Sequence, residues 1–353
     1  MIKKNKKNLN ERQKKILFCL VKEYIKTHRP VSSSRLLEVS NIGYSSATIR
    51  NDMRKLDYFG YLKQPHMSAG RIPTDKALRF YLNAIEEIIK SSKELGNQIE
   101  LDFQEYFEGD FNKILEGAIK LLSLSSNGIV IIEKPKMESL KILSIRLNKI
   151  DDFRTVVFIS TELGLNETFT IFHPNDLSFV ELENLLNNNL RNMTIKDVKK
   201  YVSEFQINPQ MWYDKKLEEL IRFLKKLVSE RFEEGFLKYG FQRIVLHDLI
   251  DLGDIRNIIG FVENDRMIQE FLEREFPLEI AEDRRILIGS ENGIKNLESF
   301  SLFLSNYKIL DRKIGRLLLI TSKIADYQKI IQLIDYVSNR LTEILTRLAK
   351  RRG

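Results

Sequence analysis

The sequence predicts an α+β protein of several domains that opens with a winged helix-turn-helix. Three observations lead there. The stretch Ser45 to Thr74 reads as a basic helix followed by two short strands, the positive charge is confined to the front of the chain, and helical and strand patterns are mixed over the remainder.

Winding Ser45 onward as a helix places Met53 and Leu56 within about 40° of Ile49, an apolar seam that buries. Ala47, Arg50 and Arg54 fall between about 100° and 160° from Ile49, and Asn51 at about 200°, on the opposite side. That side suits DNA. Arginine can hold guanine O6 and N7 together, asparagine does the same for adenine N6 and N7, and a small alanine leaves room for a thymine methyl. Ser45 or Ser46 supplies an N-cap oxygen, and Gly60 is placed for the left-handed turn that ends a helix. Tyr61 to Lys63 then reads as a strand, Ser68-Ala69-Gly70 as a tight turn and Arg71-Ile72 as the return strand before Pro73.

The chain has 353 residues, 43% hydrophobic and 30% charged, enough for two or three domains with substantial cores. Residues 1–90 hold 12 lysines, 7 arginines and 8 acidic residues, a net of +11 against +8 for the whole, so the rest is net −3. A polyanion partner for the front of the chain follows, since neutralised phosphates release counterions. No run of eighteen apolar residues is present, and the lysine-rich start leads into an amphipathic helix. A cytoplasmic protein is expected, with no membrane partner. The single cysteine, Cys19, excludes a disulfide framework and a multi-cysteine zinc site, and reads as a small buried hydrophobe.

Asn10 to Gln13 has the form of a capping box, and Ile16, Leu17, Leu20, Val21, Tyr24 and Ile25 repeat at helical spacing, so a first helix ends before Pro30. Ser32 caps a second, short helix through Leu36 and Leu37. Ser32, Ser33 and Arg35 lie where this helix would meet the DNA backbone, contacts that position a protein without reading sequence. The expected DNA-binding set is therefore Ser32, Ser33, Ser46, Ala47, Arg50, Asn51, Arg54, His66 and Arg71, the last two placed on the wing to reach the minor groove or phosphate. From Thr74 a long amphipathic helix with Leu78, Tyr81, Leu82, Ile85, Ile88 and Ile89 links domains, and Glu86-Glu87 reads as its solvated face.

Asn10 to Gln13, Pro30-Val31, the run SSATIRNDM from Ser45 to Met53, and Gln64-Pro65-His66 with SAGRIPTD from Ser68 to Asp75 resemble the HrcA family, the heat-inducible repressors of bacterial chaperone operons. The resemblance implies a homodimer that binds double-stranded DNA at an inverted-repeat operator, and a GroEL-type chaperonin that helps keep the repressor active. It continues at Ile288 to Asn292 (IGSEN) and Ala325-Asp326-Tyr327, while Thr321-Ser322 stands where many relatives carry Gly-Pro.

Beyond Phe111 the chain reads as a helix, a short buried strand from Gly128 to Glu133, then strands at Leu140 to Leu147, Phe153 to Ser160 and Leu165 to Phe172 in an antiparallel meander. Helical patterns follow at Asp176 to Leu190, Thr194 to Phe205 and Met211 to Phe236, with Phe241 to Leu246 as a strand. Asp265 to Phe276 is helical, Arg285 to Gly289, Ser299 to Ile309 and Ile314 to Thr321 are strands, and Tyr327 to Leu348 is a closing helix. With residues 136–240 set aside, the order resembles a GAF-like domain. The expected division is a winged-helix domain at 1–75, a linker helix at 76–109, a GAF-like domain in two segments at 110–135 and 241–353, and an inserted dimerisation domain at 136–240, the insertion being what the family resemblance implies.

No enzyme is expected. The four histidines, His28, His66, His173 and His247, have no partners at ligand spacing, and neither GxGxxG nor a P-loop occurs, so no cofactor or metal is predicted. The rival expectation is a regulator whose GAF-like domain senses a small molecule in an apolar pocket.

Overall fold

The computed structural model describes residues 9–66, 69–91, 110–172, 179–204, 235–245 and 250–352. It is a mixed α/β structure. Three helices, α1 (Glu11–Thr27), α2 (Ser33–Val39) and α3 (Ser46–Tyr58), precede the antiparallel pair β1 (Leu62–Lys63) and β2 (Ile72–Pro73), and α4 (Asp75–Ser91) leads away. The predicted capping box closes: the Gln13 amide donates to Asn10 Oδ1 at 2.9 Å and the Asn10 amide to Gln13 Oε1 at 3.2 Å. Ser32 accepts from the Arg35 amide at 3.1 Å to start α2. Ile16, Leu17, Leu20, Val21, Leu36, Ile49 and Leu56 are fully buried, so the apolar sides of α1, α2 and α3 make one core.

After α5 (Phe111–Ser126), β3 (Ile129–Glu133) enters a five-stranded antiparallel sheet. Three further strands, β4 (Ile142–Lys149), β5 (Arg154–Thr161) and β6 (Asn166–Phe172), form a separate three-stranded antiparallel sheet in the order β4-β5-β6, as the meander pattern predicts. Asp151 makes its tight connection, accepting from the Phe153 and Arg154 amides at 2.9 and 2.8 Å. Helices α6 (Phe179–Leu190) and α7 (Ile195–Glu204) follow. The helix predicted over Met211 to Phe236 lies outside the described residues up to residue 234; Gly235 is not helical and Phe236 begins a strand.

That strand, β7 (Phe236–Tyr239), corrects the sequence expectation of a strand at Phe241 to Leu246. Phe241–Val245 is instead a short helix, α8. Gly240, at φ +102, ends β7, and a Cβ there would sit 2.2 Å from Ser123 Oγ and 2.3 Å from the Gly128 carbonyl oxygen. Because β7 pairs with β3, Phe236 to Tyr239 belong to the larger sheet although the sequence division assigned them to the insert.

Helices α9 (Leu252–Glu263), which the sequence patterns did not single out, and α10 (Asp265–Glu275) precede β8 (Arg284–Ile288), β9 (Phe300–Ile309), β10 (Arg312–Ser322) and the closing helix α11 (Tyr327–Arg352). The sheet order is β7-β3-β10-β9-β8. Its strands bury both faces: Val130, Ile132, Phe303, Leu317 and Leu319 pack with α5 and α11, while Ile129, Ile131, Leu302, Leu304, Leu318 and Ile320 pack with α9 and α10. Two covered faces explain why Ile129 to Ile132 is continuously apolar instead of alternating. Within this sheet Arg316 is fully buried and bidentate to Glu133, Nε to Oε2 at 2.6 Å and Nη2 to Oε1 at 2.7 Å, with Glu273 Oε1 a further 3.0 Å contact.

Candidate nucleic-acid interface

Ser45 starts α3 by accepting from the Thr48 amide at 3.2 Å, and Gly60 at φ +75 follows its end. Ile49 and Leu56 have no exposed surface and Met53 has 4%, so the apolar seam is spent on the core. Asp52 is buried beside them. Its carboxylate accepts from Arg12 Nε at 2.5 Å and lies 3.5 Å from Gln13 Nε2, and the Arg12 guanidinium also stands 5.6 Å from the centre of the Tyr44 ring. The hydrogen bond to Asp52 raises the Arg12 pKa further above its ordinary value. These contacts fix the rotation of α3 about its own axis, and a fixed rotation decides which side chains face out.

Ala47, Arg50, Asn51 and Arg54 all face solvent, together with Lys55. Thus the structure gathers on one exposed helix face the four residues whose chemistry suits base edges. Ser46 is half-buried and its hydroxyl donates to Ser33 Oγ at 3.3 Å, a link between α3 and α2. Ser32 is exposed at the start of α2. Arg35 stays exposed but paired: its Nε donates to Glu23 at 2.8 Å and its Nη1 to Glu38 at 3.3 Å, so the guanidinium ties α2 to α1.

The two wing residues separate. His66 is exposed, and its carbonyl accepts from the Ala69 amide at 2.9 Å, beside Met67 and Ser68, which lie outside the described residues. Arg71 is held at the base of the ribbon with only 16% of its side chain exposed and Nε 3.0 Å from Asp57 Oδ2, an ion pair whose N–H is not aligned for a hydrogen bond. Its backbone pairs with Val31 in both directions, at 2.8 and 2.9 Å. Gly70 makes that approach possible, since a Cβ there would lie 2.5 Å from the Val31 carbonyl carbon. Arg71 is therefore a brace of the ribbon more than a free reader.

Sequence reasoning passed over Asp52 and Lys55. Asp52 falls about 60° from Ile49 on the helical wheel, on the burying side, which is the signal for a buried partner in α1. Lys55 continues the exposed basic surface next to Asn51. Among the described residues, no group of three or more His, Cys, Asp or Glu side chains could hold a metal ion, and no helix is long and apolar enough to cross a membrane.

A family model described as the HrcA protein C terminal domain matches residues 112–331. Curated relatives extend the match across the front of the chain. A heat-inducible transcription repressor HrcA of Thermotoga neapolitana is 37% identical over 98% of this chain and 97% of its own, and that of Thermotoga sp. strain RQ2 is 39% identical over 98% and 96%. A more distant one, from Chlorobium phaeobacteroides, is 27% identical over 96% of this chain and 99% of its own. The crystal structure of a hypothetical protein, 37% identical, superposes with a TM-score of 0.68 over 97% of this chain and all of that one. With the helix face, the ribbon and the C-terminal core all inside these matches, the chain belongs to the HrcA family of heat-inducible transcription repressors.

Proposed function

We propose that the protein is a dimeric repressor of heat-shock chaperone operons that binds an inverted-repeat operator, one winged helix-turn-helix per half-site. The observation that carries this reading is the α3 face: Ala47, Arg50, Asn51 and Arg54 are exposed on a helix whose other side is locked by Asp52 to Arg12. Arg50 and Asn51 read bases, Arg54 takes a base or phosphate, and Ser32 and Ser33 meet the backbone along with Ser46 at the start of α3. His66 reaches DNA from the ribbon, and Arg71 supports it. Two-fold symmetry in the protein then matches two-fold symmetry in the DNA.

The remaining chain divides, in this reading, into the α4 linker, a GAF-like domain and an inserted dimerisation domain containing β4, β5, β6, α6 and α7. The pairing of β7 with β3 supports ending the insert before Gly235. Packing on both faces of the five-stranded sheet counts against the rival small-molecule sensor, which needs space there. A GroEL-type chaperonin sets how much of the repressor is active, so heat, by supplying unfolded clients, relieves repression.

Fluorescence anisotropy with an inverted-repeat duplex and its scrambled counterpart, across a salt series, tests the reading. Tight binding that needs the repeat and weakens steeply with salt supports it. Equal binding to both duplexes, unchanged by added chaperonin, refutes it.

A further inference from the structure

Three stretches that the DNA-reading face does not use, Asp75 at the end of the SAGRIPTD run, IGSEN and the segment before Ala325-Asp326-Tyr327, meet at one place. Asp75, the first residue of α4, lies against the 3₁₀ turn Gly289–Asn292 that follows β8. Its Oδ2 accepts from the Ser290 amide at 3.0 Å and from Ser290 Oγ at 3.2 Å, and its Oδ1 accepts from Lys323 Nζ at 2.9 Å. Gly289, at φ +56, is what lets the carboxylate in: a Cβ there would lie 2.2 Å from Asp75 Oδ2.

Asp75 is the first of a polar row. Arg79 and Glu86 fall within about 40° of it around α4, beside the apolar stripe. Arg79 Nε donates to Glu291 at 2.9 Å and its Nη2 to the Ile286 carbonyl at 2.6 Å, while Arg284 reaches Glu86 at 3.2 Å and also pairs with Asp335. The expectation that Glu86 is simply solvated is thereby corrected, because its partner lies 198 residues away in sequence. At the other end, the Thr74 hydroxyl lies within hydrogen-bonding reach of the Gly60 and Tyr61 carbonyls, at 2.8 and 3.0 Å, so α4 is fastened directly to the end of α3. A chain of short, directional contacts thus runs from the DNA-facing helix to the C-terminal core.

We propose that Asp75 is a positioning residue of this joint, setting the angle of the reading helix to the core and so the half-site spacing that a dimer accepts. The inference rests on the dimeric DNA-binding reading above. A carboxylate with three fixed donors holds one orientation, whereas apolar contacts alone allow sliding, so the joint converts dimer geometry into a spacing rule.

The test uses the full-length protein and a duplex carrying the inverted repeat that wild type selects from a randomised pool. The centre of the repeat is then lengthened or shortened by up to about three base pairs, with a single half-site as control. Asp75→Ala attacks the joint from α4, and Gly289→Ala attacks it from the core, far from any DNA contact. Wild type should lose on the order of tenfold or more on respaced repeats. Both variants should bind the half-site like wild type, bind the selected repeat about tenfold more weakly and discriminate spacing less than about threefold. In the double variant the clash of Gly289→Ala with the carboxylate is gone, so it should add no further loss of spacing discrimination to that of Asp75→Ala, leaving only the strain of an alanine at φ +56. Variants that keep the wild-type spacing profile overturn the joint alone, and so do variants that bind the selected repeat more tightly or lose half-site binding. A wild type that selects no inverted repeat overturns the dimeric DNA reading as well.

Discussion

Arg12 Nε stands 2.5 Å from Asp52 Oδ2, and Asp52, buried on the inner side of α3, lies next to Asn51, exposed on its outer side. One ion pair therefore orients the helix face proposed to meet DNA. Arg12→Ala leaves a buried carboxylate with only Gln13 nearby, and it should lower the melting temperature by several degrees and weaken DNA binding without touching a DNA-facing residue. Asp52→Asn, which removes the charge along with its need for a partner, should be milder; calorimetry on both ranks them.

Arg50→Ala or Asn51→Ala should cost about 1 to 3 kcal/mol of binding to the selected repeat while sparing most affinity for random DNA. Competitive anisotropy separates the two quantities. Equal losses on both duplexes would remove these residues from base readout.

Gly70→Ala should disturb the ribbon, because its Cβ would strike the backbone of Val31, which cannot move aside as a flexible side chain can. Loss of the Val31–Arg71 pairing should appear as faster amide exchange at both residues, with α1 and α3 protection retained.

Arg316→Ala should be severely destabilising, by about 3 to 5 kcal/mol, since it strands Glu133 in the core. Urea unfolding measures it. Dimer dissociation without loss of core stability would contradict the expectation.

Asp75 sets the sign of a pH dependence. Burial disfavours its charge, but the Ser290 amide and Lys323 outweigh that, so the carboxyl titrates below its ordinary 3.8. A carboxyl whose folded pKa is the lower one adds stability above its unfolded value, and that stability is lost as pH falls through the folded one. The joint is thus complete at neutral pH and weakens below about pH 4. Asp335 nearby slopes the other way, pushed up by burial despite Arg284. Subtracting the Asp75→Asn melting curve from the wild-type curve over about pH 3 to 7 should therefore isolate the Asp75 contribution as a difference that shrinks toward acid.

Much of the fold was legible because period is a local property. The capping box at Asn10, the seam of Ile49, Met53 and Leu56, and the meander of β4, β5 and β6 need only neighbouring residues to be read. Phe241 to Leu246 failed for a physical reason: a short apolar run suits strand or helix equally, and Gly240 decides between them through its close approach to Gly128. Helix α9 was hidden by Gly253 and Gly260, which lower helix propensity, although Asp251 caps it by accepting from the Asp254 amide at 2.8 Å. At the candidate site, the outward residues were legible from the wheel, whereas Arg35 and Arg71 looked free because Glu23 and Asp57 only become their partners on folding. The joint at Asp75 was illegible altogether, since Ser290 and Lys323 lie more than two hundred residues away.

The adjacency of β3 and β7 has a further meaning. Lys134 donates its amide to the Gly235 carbonyl at 2.9 Å, so the chain leaves the five-stranded sheet and returns to it at neighbouring points. Topologically, roughly a hundred residues form the loop of one β-hairpin, and the entropy of closing such a loop grows only with the logarithm of its length. The closure entropy is therefore nearly indifferent to how long that excursion is. What ties the excursion to the sheet is contact and not closure: Arg312 of β10 donates to the Ser139 carbonyl at 2.7 Å and pairs with Glu162, so length can vary in the excursion's outer parts while these anchors stay.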